Sequence, residues 1–169
     1  MDNKMKKRWI SLYVENQVGV LSKISGLFSG KSYNLESLTV GTTEDPTISR
    51  MTIETISDEE TYEQIKKQLN RMVEVIKVID LTAVPLHMKE ILFAKVFDIN
   101  AQQMAELFQI AQVFQVEVVD IGADSALLEC KLTERRNNEL IALLKSKFKK
   151  ISVVRGGAVA IETISTGCR

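Results

Sequence analysis

Apolar and polar residues alternate from Arg8 to Glu15, with Ile10, Leu12 and Val14 on one face, and at Asn16 the period changes. Beyond it Val18, Leu21, Ile24, Leu27 and Phe28 recur at helical spacing. The pattern predicts a strand over 8–15, a tight polar turn and a helix over 18–30. It continues with strands over 33–41 and 48–56, a helix over 58–71 and a strand over 73–81, giving the order βαββαβ. Ser57 and Glu60 stand at capping-box spacing before the second helix, and Ile65, Leu69 and Met72 give that helix one apolar stripe. Asp45-Pro46 interrupts the middle strands, which predicts an exposed, mobile loop from Gly41 to Ser49.

The order then recurs, with a strand over 88–98, a helix over 101–114, strands over 115–122 and 125–132, a helix over 134–147 and a strand over 150–156. Pro85, amid residues 82–87, is the best linker candidate, so two domains are expected, 1–82 and 83–169. The echo reaches individual residues: Tyr33, Leu35, Glu36 and Gly41 match Phe114, Val116, Glu117 and Gly122. Apolar matches recur by chance, so the echo supports a repeated architecture more than a duplicated gene. A βαββαβ unit folds most simply into a four-stranded antiparallel sheet with both helices on one face. The expected class is therefore α+β, two ferredoxin-like domains. Ile91, Leu92, Phe93, Ala94, Val96 and Phe97 are apolar in both phases, which suggests a strand covered on both faces, with a homodimer as the simplest source of cover.

The first turn is the most informative feature. Asn16 can cap the helix, Gly19 admits another group close to the backbone, and the open N–H groups of a helix start favour a carboxylate. That suits an amino-acid receptor better than an active site. The second repeat has Ile99-Asn100-Ala101-Gln102-Gln103 at this place and no glycine, so only the first half offers the open helix start.

Composition narrows the chemistry. At 169 residues and 45% hydrophobic, the chain can bury a real core, and its 22 basic residues balance 22 acidic ones. No basic surface is expected for nucleic acid or an anionic membrane, and Lys4, Lys6, Lys7 and Arg8 read as a solvated arm. No apolar run reaches a membrane span and the charged start lacks a secretory signal, so a cytoplasmic protein is the default. His87, the single histidine, reads as a surface residue of the linker, and Cys130 and Cys168 as passive thiols with no metal-ligand spacing. No phosphate loop, dinucleotide fingerprint or nucleophile elbow occurs, and Asp58, Glu59, Glu60 and Glu63 complement a helix dipole, so neither catalytic nor metal-binding residues are assigned. RNA-recognition modules of this fold class stack bases on aromatics of their central strands. Strand 33–41 offers only Tyr33 and strand 48–56 none, while Trp9 and Tyr13 share a face of the first strand, which is expected toward an edge of the sheet.

Three segments carry a family resemblance: ENQVGVLSKISGLF at 15–28, YNLESLTVG at 33–41 and TEDPTISRMTI at 43–53. The run from Trp9 to Leu81 resembles the N-terminal ACT domain of the small, regulatory subunits of acetohydroxyacid synthase, also called acetolactate synthase. Residues 88–156 are similar to their C-terminal domain, with a weaker signature. The resemblance implies a non-catalytic partner of a large subunit that carries thiamine diphosphate, FAD and Mg²⁺. It also implies activation of that subunit and feedback inhibition by valine or another branched-chain amino acid. It places the effector between two ACT domains, against Asn16, Gln17, Val18, Gly19, Val20 and Leu21 of one and Asn34 and Leu35 of the other. Backbone N–H groups near Gly19 and Val20 can hold the carboxylate, the amide oxygens of Asn16 or Asn34 can accept from the ammonium, and Leu21 or Leu35 can wall an aliphatic side chain.

Two other readings compete. An acylphosphatase-like enzyme needs an arginine in a phosphate-cradling loop after the first strand, and 15–19 has none. A stand-alone amino-acid-sensing ACT protein acting on another enzyme or on transcription is the alternative; a DNA-binding form needs a helix-turn-helix, for which only the tail 157–169 remains.

Overall fold

A computed structural model describes residues 4–164. The elements are β1 (Lys6–Glu15), α1 (Val20–Gly30), β2 (Ser37–Thr42), β3 (Ile48–Ser57), α2 (Glu59–Leu69), β4 (Val75–Asp80), β5 (Leu86–Phe97), α3 (Ala101–Phe114), β6 (Glu117–Ile121), β7 (Ala126–Leu132), α4 (Glu134–Lys147) and β8 (Lys150–Glu162). All twelve expected elements form in the expected order, in two four-stranded sheets ordered β2-β3-β1-β4 and β6-β7-β5-β8. The chain divides into compact units between His87 and Met88 and again between Val159 and Ala160. This differs from the expected single boundary at 82/83. Pro85 lies directly before β5, and β8 runs through Gly156 and Gly157, the latter at φ 74, instead of stopping at residue 156.

In the first unit the core is one side of the sheet against α1 and α2: Ile10, Leu12, Val14, Met51 and Ile53 meet Val20, Ile24, Phe28, Tyr62, Ile65 and Leu69. β1 is antiparallel to β3, with Arg8 opposite Thr55 and Glu15 opposite Ile48. This corrects the placement of β1 toward an edge: it is central, because the βαβ crossover inserts it between β3 and β4. Trp9 and Tyr13 therefore stand on a central strand. The Tyr13 ring is already covered, with the Arg50 guanidinium 5.1 Å from its centroid. Arg50 also donates to Ser11 Oγ (2.8 Å), Tyr13 Oη (3.1 Å) and Glu162 Oε2 (3.0 Å), and Lys7 pairs with Glu54 at 2.6 Å.

The start of α2 departs from expectation. α2 is capped by Asp58, whose carboxylate accepts from the Thr61 N–H (2.7 Å), and not by Ser57. That bond holds the Asp58 carboxyl below its ordinary range. A full capping box occurs instead on α3, between Asn100 and Gln103.

Beside α2, the Tyr62 hydroxyl donates to Asp80 Oδ1 (2.7 Å), Lys66 Nζ donates to Oδ2 (2.9 Å) and the Thr82 N–H to Oδ1 (2.9 Å). Burial opposes ionisation of Asp80, but these donors outweigh it and hold the pKa at about 2. A carboxyl with a depressed folded pKa adds stability above its unfolded pKa and loses it on protonation. Acidification from about pH 4 to about pH 2 should therefore remove roughly 1 kcal/mol, after allowance for solvent screening, that an Asp80→Asn variant lacks throughout. Denaturant melts of both chains across that window measure it, and parallel pH dependence would show Asp80 to be uncoupled.

In the second unit Leu92, Ala94, Val96, Leu128 and Cys130 of the sheet pack under Leu107, Ile110, Ala111, Phe114, Leu140 and Leu144 of the helices. Burial, with a smaller contribution from the Glu129 charge, pushes the Cys130 thiol up to about 11, which suits a passive core residue. Cys168 lies outside the described residues. β5 is not covered on both faces within one chain, since Ile91 is 44% exposed.

Candidate functional site

The turn after β1 is built by the backbone. The Asn16 N–H donates to Thr47 O (2.7 Å) and its side-chain Nδ2 to Pro46 O (2.9 Å). Asn16 therefore does not cap α1, as the sequence suggested. The carbonyl of the neighbouring loop captures its amide, and Gly19 takes the N-cap position at φ 89, ψ −12 with no side-chain cap. Only glycine enters that conformation without penalty. The Lys23 N–H reaches Gly19 O (3.0 Å), and the N–H groups of Gly19, Leu21 and Ser22 have no acceptor among the described residues. These are the orphan donors of an uncapped helix start.

The side chains around this turn divide sharply. Val20 is buried in the core, so only its backbone faces outward, whereas Val18 is fully exposed and Leu21 is 43% exposed. Gln17 is exposed and ties its N–H to Glu15 O (3.0 Å). An added Cβ on Gly19 would meet nothing within 4 Å, so open space lies over the helix start. The turn is braced from below: the Glu15 N–H donates to Glu74 O (2.9 Å), and Lys23 and Glu74 form an ion pair whose hydrogen bond holds the Glu74 carboxyl low. The loop beside it is exposed, as expected. It is also tightly bonded, with Asp45 Oδ1 accepting from the Thr47 N–H (2.8 Å) and hydroxyl (2.6 Å).

Asn34 and Leu35 precede β2, which begins only at Ser37. Leu35 is half-buried against the core. Asn34 is exposed, its Nδ2 donates to Glu36 and its backbone oxygen accepts from the Thr55 hydroxyl. In both Asn16 and Asn34 the amide nitrogen is thus engaged, and Oδ1 has no donor among the described residues.

The register sets the distance between the two groups. Asn34 is bonded to Thr55, which lies opposite Arg8, while the glycine turn follows Glu15, opposite Ile48. Seven residues of β1 separate those levels, or roughly 20 Å at about 3.3 Å per residue. Within one chain the eight residues fall into two groups toward opposite ends of the sheet. Nothing in the sequence pattern signalled the Asn16–Pro46 bond, the Lys23–Glu74 brace or Arg50, although Arg50 sits inside the TEDPTISRMTI segment.

Residues 10–77 match the AHAS small subunit-like ACT domain, and residues 89–164 match the family described as the small subunit of acetolactate synthase. The chain is 37% identical over 155 residues to the acetolactate synthase small subunit of Haemophilus influenzae, covering 92% of this chain and 94% of that one. The chain belongs to the acetolactate synthase small-subunit family. The corresponding subunit of Aquifex aeolicus is 39% identical over 158 residues, spanning 94% of this chain and 82% of its own. The crystal structure of the acetolactate synthase small subunit from Thermotoga maritima superposes with a TM-score of 0.84 at 30% identity, over 95% of this chain and 99% of that one. The ACT match falls on the unit that carries the glycine turn, and membership of this family implies a catalytic large-subunit partner. No described helix is long and apolar enough to cross a membrane, and among the described residues no three His, Cys, Asp or Glu side chains converge as metal ligands.

Proposed function

We propose that this chain is a regulatory subunit without a catalytic site of its own, which activates the acetolactate synthase large subunit and makes it sensitive to valine or a related branched-chain amino acid. Thiamine diphosphate, FAD and Mg²⁺ then belong to the partner. The observation that carries the effector site is the glycine turn: orphan N–H groups at the start of an 11-residue helix, a glycine at φ 89, and open space above it. Such a cradle holds a carboxylate without a countercharge. Leu21 gives an aliphatic wall, and the uncommitted Oδ1 of Asn16 an acceptor for the ammonium.

The roughly 20 Å gap between the half-sites supports a site shared by two chains. β2 is an edge strand, and its end at Thr42, opposite Ser49, lies at the level of the glycine turn, while its start at Ser37 lies far from it. Antiparallel β2–β2 contact about a twofold axis sets the start of one strand beside the end of the other. Asn34 and Leu35 of one chain then approach Gly19 of its partner. A homodimer is therefore part of this reading. Nucleic acid is not, because Tyr13 is already stacked by Arg50, and Arg50 and Lys7 are paired with carboxylates.

The purified protein should bind valine saturably and turn nothing over. Regulatory affinities of micromolar to millimolar correspond to about −8 to −4 kcal/mol, within reach of a few backbone hydrogen bonds and one buried isopropyl group. Calorimetry with the large subunit present tests this, and absence of heat at many millimolar valine would contradict it.

A further inference from the structure

β8 is the edge strand of the second sheet, with β5 as its single strand neighbour among the described residues, and α4 lines one groove with it. Between them runs an open groove of about 600 Å³. Its floor is apolar, made of Ile141 and Ala142 from α4 and Ile151 and Val153 from β8. Its polar rim is Asn138, Lys145 and Arg155. The charges on this rim are not equivalent. Arg155 is spent internally, forked onto the buried Glu90 (NH2 to Oε2, 2.8 Å) with its NH1 on Asn138 Oδ1 (2.8 Å). Lys147 and Lys150 pair with Glu106 and Asp98. Lys145 and Lys149 are exposed and have no carboxylate within ion-pair distance among the described residues.

An open edge beside a helix-walled apolar groove is the geometry in which an extended peptide adds as a further strand: main-chain bonds supply affinity and alternate side chains enter the groove. Resting on the reading above, we propose that the groove between β8 and α4 docks an extended segment of the catalytic subunit. That segment lies antiparallel to residues 150–155, with aliphatic side chains at alternate positions and a carboxylate facing Lys145. The free cations set the acidic character of the occupant, and the open edge sets its extended form. Lysines on an edge also deter unwanted strand pairing, yet edge protection alone does not require the apolar floor beside them. Gly157, at φ 74, bends the strand just beyond Arg155 and limits the docking segment to about five or six residues.

The test titrates the protein against the catalytic subunit and reads the concentration giving half-maximal activation. Two exposed positions are changed: Ala142→Arg fills the groove while adding positive charge, and Lys145→Glu reverses the free charge without filling it. Each should raise the half-activation concentration at least tenfold, with the melting temperature and the valine affinity of the isolated protein unchanged. Hydrogen exchange should show amides of 150–154 protected in the wild-type complex. Shifts under threefold in both variants, with those amides exchanging equally fast in the free and bound protein, would overturn the docking site while leaving the regulatory reading intact. Failure of the wild-type protein to activate at all would overturn both.

Discussion

Gly19→Asp is expected to lower valine affinity at least a hundredfold, about 2.7 kcal/mol, and to leave the reconstituted synthase active but insensitive to feedback. The substitution places a fixed carboxylate where the effector's own carboxylate meets the helix start, so like charges compete for the same orphan N–H groups. Backbone geometry adds a second effect. Gly19 sits at φ 89, where an L-residue is strained by about 1–2 kcal/mol, Asp and Asn being at the low end. Gly19→Asn carries the same strain with no charge and separates the two causes. It should melt at the same temperature as Gly19→Asp and retain at least tenfold more valine affinity. Full valine sensitivity in the Asp variant would place the effector elsewhere.

Glu90→Ala should destabilise the second unit by roughly 2–4 kcal/mol. Glu90 is buried and takes the Arg155 fork, and it also accepts from Nδ2 of the fully buried Asn137 at 3.1 Å. Asn137 Oδ1 already lacks a partner, so losing this carboxylate leaves the buried amide only the long bond from Nδ2 to the Glu90 backbone carbonyl (3.4 Å). Arg155 is about one-third exposed and can rehydrate, which keeps the cost below that of a fully buried broken pair. Glu90→Gln keeps the shape and one acceptor and should cost about half as much. The single tryptophan, Trp9, reports the first unit, so the measurement is amide exchange of β5 and α4 under increasing denaturant. Unchanged exchange in Glu90→Ala would show the network to be energetically neutral.

Element order was legible from the sequence because each switch between period 2 and period 3.6 is a local signal of which face is buried. What stayed hidden was decided between segments distant in the chain. Tyr33 and Leu35 alternate as strand residues do and pack on the core, but ladder pairing begins only where β2 meets β3, so β2 opens at Ser37. Asn16 has a capping side chain, yet a carbonyl thirty residues away, that of Pro46, takes it. The pattern of β1 fits a central or an edge strand equally well, and its place beside β3 appears only in the sheet order. The glycine turn was readable as an open helix start from residue types alone. Its separation from Asn34 by most of the sheet's length was not, because that distance depends on register.

Mixing two inactive variants tests the shared site most directly. A Gly19→Asp chain spoils the turn half-site, and an Asn34 variant such as Asn34→Leu, which removes the acceptor at this exposed position, spoils the other. In a heterodimer of the two, a site spanning both chains has one copy made of two intact halves and one made of two spoiled halves. Calorimetry after confirmed subunit exchange should then recover valine binding at about half the heterodimer's site count, with wild-type affinity. A site confined to a single chain would be spoiled in every chain present. No recovery of binding in the exchanged mixture would contradict the account.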